Sequence, residues 1–345
     1  MNSKKRDTFF DNLKGMMIVL VVFCHFIEQL IPRWSLYPLI YRFYICTYSF
    51  HMPVFIFCSG FFSHNHDEST SIRKAISACL VPYVLFQTIY NIIFFTPGSS
   101  TASSIRSLLN YSGPQWTLWY LLSMFIWRII VRPFNVLRRP MTVSIVLAVY
   151  AGLTEAGVFL SLSRTMTFFP FFLAGYLTTP NMIERLRKRS KLLSLFLFTA
   201  AMGIAVIMSE SNTAVKHIRM ATPYSSVSDA LWLSVLLRIT ALLIAFVSIY
   251  ALISLVSGRK TIFSRFGRYC LPIYLLHSGL IRLLSMAGFV GPSRSLYIFP
   301  WAAVAAFILC FLLGTNCADR TLRFVTEFIS RLIVRCDSDS AEYNL

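Results

Sequence analysis

Charge is scarce in this sequence: of 345 residues only 13% are Asp, Glu, Lys or Arg, while 56% are hydrophobic. A soluble domain carries roughly 25% charged residues. So few charges cannot wet the surface of a soluble globule, so most of the surface is expected to face lipid. Acidic residues are scarcer still, 14 against 32 basic ones, which leaves a formal net charge of +18. The basic residues sit in short clusters between apolar runs and not on one polar face, which argues against a nucleic-acid partner. There is no CxxC pair among the eight cysteines, and Cys24, Cys58, Cys79, Cys270 and Cys310 lie inside apolar runs. Neither a metal site nor a disulfide framework is expected; these are small buried hydrophobes. No small-residue cleavage site follows the first apolar run, whose start is interrupted by Asp11 and Lys14, so that run is expected to be a helix of the mature protein. No internal repeat is visible, which counts against an inverted-repeat transporter.

What the sequence has is long apolar runs, with a mean hydropathy of +0.64. About ten are long enough to cross roughly 30 Å of hydrocarbon. They fall near 13–31, 45–63, 76–96, 116–132, 142–160, 164–178, 192–209, 230–255, 266–286 and 297–318. The expected fold is an all-α, polytopic membrane helix bundle. Arg73 and Lys74, Arg128 to Arg139, Arg185 to Lys191 and Arg259 to Arg268 mark one side, together with the N-terminal Lys4 to Arg6 and the tail from Arg320. Fewer basic residues, among them Arg42, Arg164, Lys216 and Arg219, mark the other. That bias places both termini in the cytoplasm. Residues 1–335 are read as one transmembrane domain and 336–345 as a polar, disordered tail. The longest polar outer stretch is 210–229.

Ionisable side chains inside such runs are costly and point to function. Lys14 and His25 are eleven residues apart, so on a helix they share one face with about 16 Å of rise between them. Lys14 then lies at the cytoplasmic rim and His25 past the midplane, a stripe that suits a long anionic donor; a snorkelling lysine with a hydrogen-bonded histidine is the plainer alternative. His51 on the next, antiparallel helix reaches nearly the same depth. Two histidines at matched depth can converge, and imidazole suits proton transfer near neutral pH. Glu28, one turn beyond His25, is read either as orienting it or as an interfacial carboxylate. His277 is a third intramembrane histidine, and Arg282 on its helix reads as snorkelling outward. Trp116, Trp119 and Tyr120 stand at the outer interface, either as an aromatic belt or as the floor of a sugar site.

The chain resembles the membrane-bound acyltransferase-3 family, in particular its stand-alone fucose 4-O-acetylase-like members. The resemblance rests on Arg6-Asp7-Thr8-Phe9-Phe10-Asp11-Asn12-Leu13-Lys14-Gly15 followed by His25, and on Phe50-His51-Met52-Pro53 through Gly60-Phe61. It continues through Arg73 with Pro82-Tyr83, Trp116 to Tyr120, Phe169-Pro170-Phe171-Phe172-Leu173-Ala174-Gly175, and Ile273-Tyr274-Leu275-Leu276-His277. Trp119-Tyr120 departs mildly from the family's Trp-Phe, and 210–229 matches no family block, so acceptor choice is expected there. The resemblance implies an O-acyltransferase of the cell (inner or plasma) membrane that moves an acetyl group from acetyl-CoA or another acyl-CoA to a carbohydrate or lipid-linked glycan. His25 is then the catalytic base, deprotonating the acceptor directly or carrying the acyl group transiently, with His51 and Asp11 in the catalytic set. Lys14, Arg73 and Lys74 would hold the donor; Trp116, Trp119, Tyr120 and His277 would bind the acceptor. No permanently bound cofactor is implied. A second copy of the chain or glycan-assembly proteins are admitted as further partners. A transporter or flippase of lipid-linked sugars is the rival reading, because the same helices, histidines and aromatics would serve it.

Overall fold

The computed structural model describes residues 7–31, 34–63, 68–95, 110–134, 136–154, 159–226, 230–293, 295 and 297–334. Within them the chain is all helix and turn, as expected. Lys4 to Arg6 and the tail 336–345 lie outside the described residues. In chain order the α-helices are α1 (Thr8–Leu30), α2 (Pro38–Phe61), α3 (Glu68–Ala75), α4 (Val81–Ile93), α5 (Trp119–Phe134), α6 (Pro140–Tyr150), α7 (Leu162–Leu177) and α8 (Pro180–Arg187). They continue as α9 (Lys191–Ser209), α10 (Asn212–Arg219), α11 (Leu231–Leu255), α12 (Ile262–Arg268), α13 (Cys270–Met286), α14 (Ile298–Leu313) and α15 (Asn316–Ile333).

Among the described residues, four helical stretches are long and apolar enough to cross a membrane: Thr8–Leu30, Ile72–Ile93, Lys191–Ser209 and Leu231–Leu255. Two bent pairs, α12 with α13 (83°) and α14 with α15 (60°), raise the number to six if each pair is one span. Several runs expected to span are shorter or broken as helices. The run at 142–160 stops being α-helical at Tyr150 and passes into a 3-10 turn, Ala151–Leu153. The run at 266–286 breaks at Tyr269, because Pro272 has no N–H to offer the carbonyl four residues back. The Ile72–Ile93 stretch stays continuous through a π-turn, Ile76–Leu80, just ahead of Pro82. There Val81 N–H reaches back five residues to the Ile76 carbonyl. The stretch 210–229, read as a polar loop, contains α10, whose first turn is capped by the Ser211 hydroxyl on Ala214 N–H.

α1 is the axis of the bundle, packed by α2, α12, α13 and α14. Small residues set its closest crossing. A Cβ on Gly15 would lie 1.9 Å from the Phe263 carbonyl oxygen, and one on Gly267 would lie 1.8 Å from that of Asp11. A second reciprocal crossing joins α2 to α7: a Cβ on Gly60 would sit 2.0 Å from the Phe172 carbonyl, and one on Gly175 2.0 Å from that of Phe57. Lipid tails are as apolar as the helix faces, so close backbone approach and packing hold such helices together. The first crossing holds α1 against α12, which leads directly into α13; α1 also packs on α2 and α13, and these three helices carry His25, His51 and His277.

Candidate active site

His25 is only partly buried and lies one turn before the end of α1. Glu28 is three residues on, hence on the same face, and its Oε2 lies 2.9 Å from His25 Nδ1. The carboxylate gathers two more donors from α2: Tyr48 Oη at 2.8 Å, and Tyr44 Oη in a shorter contact. Tyr44, Tyr48 and His51 are spaced four and three apart, so α2 presents them as one stripe toward α1. An ionised carboxylate only accepts, so Nδ1 of His25 carries the hydrogen and Nε2 keeps the basic lone pair. Glu28 thus fixes the tautomer and orientation of His25, the part a buried carboxylate plays in an acid–base dyad.

His51 and His277 share a simpler device. Each ring donates Nδ1–H to the carbonyl one turn back on its own helix, Thr47 at 2.6 Å and Ile273 at 2.9 Å. Both therefore also present an unprotonated Nε2. His51 lines the same cavity as His25, and the His277 ring packs at a tilt against that of His25 with centroids 5.3 Å apart. His277 is fully buried, and its Nε2 has no hydrogen-bond partner. The convergence expected for His25 and His51 is thus present, with His277 behind.

The cavity holds about 390 Å³ and is lined on one side by Pro114, Trp116, Thr117 and Trp119. That is enough room for a small ligand such as a sugar unit. The aromatic wall is held under constraint. Trp116 adopts φ +41°, a left-handed conformation unusual for a large residue. Gln87 holds the approach to it, accepting from Gln115 N–H at 2.9 Å and donating to the carbonyls of Asn110 (3.0 Å) and Gly113 (3.1 Å). Tyr90 and Phe94 then pack on the indole. Tyr120 faces away from the cavity: its hydroxyl meets Ser59 Oγ at 2.5 Å and its ring packs on Tyr274. Tyr274 in turn donates to the Thr117 carbonyl, tying α13 to the wall.

Three arginines on the rim, Arg164, Arg219 and Arg282, were not singled out as site residues; sequence reasoning gave two of them to outer loops and let Arg282 snorkel away. The Tyr44 and Tyr48 hydroxyls were also missed, though their four-residue spacing ahead of His51 was legible.

The other end of α1 is basic. Lys14 lies 3.5 Å from Asp11 and sits over the Phe62 ring at 5.1 Å. Asp11 is fourteen residues from His25, about 21 Å of helical rise, so it belongs to the Lys14 end and not to the histidine cluster. Phe62 also lines a hollow of about 190 Å³ with Lys74, Arg128, Arg132 and Tyr176. Arg73 is half-buried beside Lys74. A second hollow of about 540 Å³ places Asp11 with Lys260, Arg265 and Arg268. Arg128 and Arg132 entered the sequence reading only as markers of orientation.

A protein family described as "Acyltransferase domain", the acyltransferase-3 family, matches residues 7–315. Among curated proteins, the chain is 26% identical over 206 residues to Nodulation protein NolL of Sinorhizobium fredii (strain NBRC 101917 / NGR234), covering 57% of this chain and 55% of that protein. It is 25% identical over 184 residues to Nodulation protein NolL of Mesorhizobium japonicum (strain LMG 29417 / CECT 9101 / MAFF 303099), covering 51% and 48%. The chain thus spans about half the length of the curated relatives it matches. No solved structure matches it.

Proposed function

The chain belongs to the acyltransferase-3 family, and from that premise we propose that it is an integral membrane O-acyltransferase. In this reading it moves an acetyl or other short acyl group from cytosolic acyl-CoA to a hydroxyl of a cell-surface or lipid-linked carbohydrate, in the manner of a fucose 4-O-acetylase. The same reading gives it about ten spans, with both termini cytoplasmic in the cell (inner or plasma) membrane. The observation that carries it is the His25–Glu28 pair, 2.9 Å apart, opening on a cavity walled by Trp116 and Trp119.

Acyl transfer to an alcohol needs a base for the hydroxyl proton and donors for the developing oxyanion. The acceptor sugar stacks on the tryptophan wall with one hydroxyl at Nε2 of His25. That oxygen attacks the thioester carbonyl as His25 takes its proton and Glu28 stabilises the resulting imidazolium. Ser278 Oγ, which lies 3.2 Å from Thr117 Oγ1 and lines the cavity, offers a donor to the oxyanion. The C–S bond then breaks, an ester forms, and the CoA thiolate leaves with the proton from His25. The Lys14, Lys74, Arg128 and Arg132 end of α1 holds the phosphates of the donor, whose long arm runs along the roughly 16 Å of helix between Lys14 and His25.

The test is transfer from radiolabelled acetyl-CoA in membranes holding wild type, His25→Ala or Lys14→Ala. Label in a glycan fraction with wild type, none with His25→Ala, and weak transfer by Lys14→Ala that recovers at high donor concentration is the expected result. Normal transfer by inserted His25→Ala removes the base assignment. A wild type that moves labelled glycolipid across vesicles, and never acetyl, supports the transporter.

A further inference from the structure

The rim of the histidine cavity carries more positive charge than acyl transfer to a neutral sugar requires. Arg164 comes from the first turn of α7, Arg219 from the end of α10 and Arg282 from α13, and all three line the cavity that holds His25. Arg164 lies over the Trp119 ring at 5.3 Å. Arg219 donates to Tyr44 Oη at 3.2 Å and lies over the Tyr44 and Tyr48 rings. Among the described residues, the only carboxylate lining the cavity is Glu28, already shared among His25, Tyr44 and Tyr48. Among the described residues, neither Arg164 nor Arg282 has a hydrogen bond or a carboxylate within 4.0 Å. Guanidinium groups converging on one cavity repel each other and are costly at the edge of a low-dielectric bundle unless an anion joins them. Their planar forks match the oxygens of a phosphate, and several forks suit a multiply charged group better than a single carboxylate.

We infer that Arg164, Arg219 and Arg282 form an anion site for a phosphate or diphosphate carried by the acceptor, next to the hydroxyl that is acylated. The inference rests on the acyltransferase reading and narrows its acceptor to a phosphate-bearing glycan. The phosphate comes either from a lipid diphosphate linkage or from the glycan itself. The site is distinct from the donor's, because Lys14 and its basic hollow lie at the opposite end of α1.

The test uses the purified full chain in a maltoside detergent that contains no phosphate. Binding is measured for N-acetylglucosamine linked to farnesyl diphosphate, for the matched neutral farnesyl glycoside, for N-acetylglucosamine 6-phosphate and for inorganic diphosphate. The expected result is that wild type binds at least one phosphorylated sugar at least about tenfold tighter than the neutral glycoside. Which of the two it prefers identifies the source of the phosphate, and inorganic diphosphate competes with it. Arg164→Gln with Arg282→Gln erases the preference while the thermal unfolding midpoint in detergent, the control for folding, is kept; Arg→Lys at the same positions restores part of it. Equal affinity for charged and neutral glycosides, or a preference that survives the double substitution, overturns the site. So does competition by phosphatidylglycerol vesicles with no discrimination among the sugars, which would make these arginines headgroup contacts. Because binding is read without acetyl-CoA, a failure of acetyl transfer leaves this result standing, and the two readings fail separately.

Discussion

Two neighbouring clusters in this bundle each set a histidine among tyrosines, and they differ in what surrounds that histidine. Around His25 the imidazole meets a carboxylate, the carboxylate meets two tyrosines, and the group opens on a cavity. Around His217, only two residues before Arg219, the ring is fully buried and neither nitrogen has a partner. Its neighbours are Tyr224, whose hydroxyl donates to the Val149 carbonyl at 2.8 Å, and Arg238. Arg238 is also fully buried and ties α11 to Thr167 Oγ1 (3.1 Å) and the Thr222 carbonyl (3.2 Å). Among the described residues no carboxylate pairs with it. An ionisable residue in a membrane bundle is a functional candidate by default, but this second cluster joins helices and touches no cavity described above. In the proposed function, what separates the catalytic cluster from the structural one is the oriented carboxylate and the opening, not the presence of histidine or arginine.

That contrast is broken most severely at His25. His25→Ala is expected to lower acyl transfer by about 10²- to 10⁴-fold with insertion and thermal stability kept, as removal of a general base does. Glu28→Gln is expected to cost about 10²-fold in turnover with little change in donor KM, because the amide no longer enforces the Nδ1–H tautomer. At the second cluster the losses move from activity to stability. Arg238→Ala is expected to destabilise the protein by about 1–3 kcal/mol, leaving the Thr222 carbonyl unpaired, while transfer per folded molecule is unchanged. An equal loss of turnover there would erase the distinction. His217→Phe is the smallest change and has the opposite sign, a gain of about 1 kcal/mol, because it removes two buried, unpartnered nitrogens.

The same substitution predicts a pH effect. Burial, reinforced by the charge of Arg238, pushes His217 from its ordinary 6.5 down to about 4. Between those values the unfolded chain binds more protons than the folded one. The contribution of a neutral His217 is therefore complete above about 6.5 and is lost as pH falls toward 4. Thermal unfolding of wild type and His217→Phe across that window should differ in slope, wild type falling more steeply at low pH.

The helical class and the histidine stripe were legible because apolar runs and helical spacing are local properties. His25, Glu28 and His51 come together largely as their positions along antiparallel helices imply. Helix ends were less legible. Pro272 breaks one run and Tyr150 ends another, and hydropathy averages over both. Gly15, Gly60, Gly175 and Gly267 fall within or beside segments read for chemistry, yet their structural role is to let backbones cross, which only the partner helix reveals. The arginine rim was illegible for the same reason. Arg164, Arg219 and Arg282 are far apart in sequence and were each assigned to a membrane surface, whereas tertiary packing gathers them at one cavity. Asp11 is the reverse case: a shared signature puts it in the catalytic set, while about 21 Å of helical rise sets its position at the Lys14 end of α1, away from His25.

The most direct test of the central claim is acetyl transfer by purified His25→Ala with and without added imidazole, against wild type in the same detergent. If Nε2 of His25 removes the acceptor proton, the variant transfers almost nothing alone and regains transfer as imidazole fills the space beside Glu28. Wild-type rates from His25→Ala without imidazole would contradict the account.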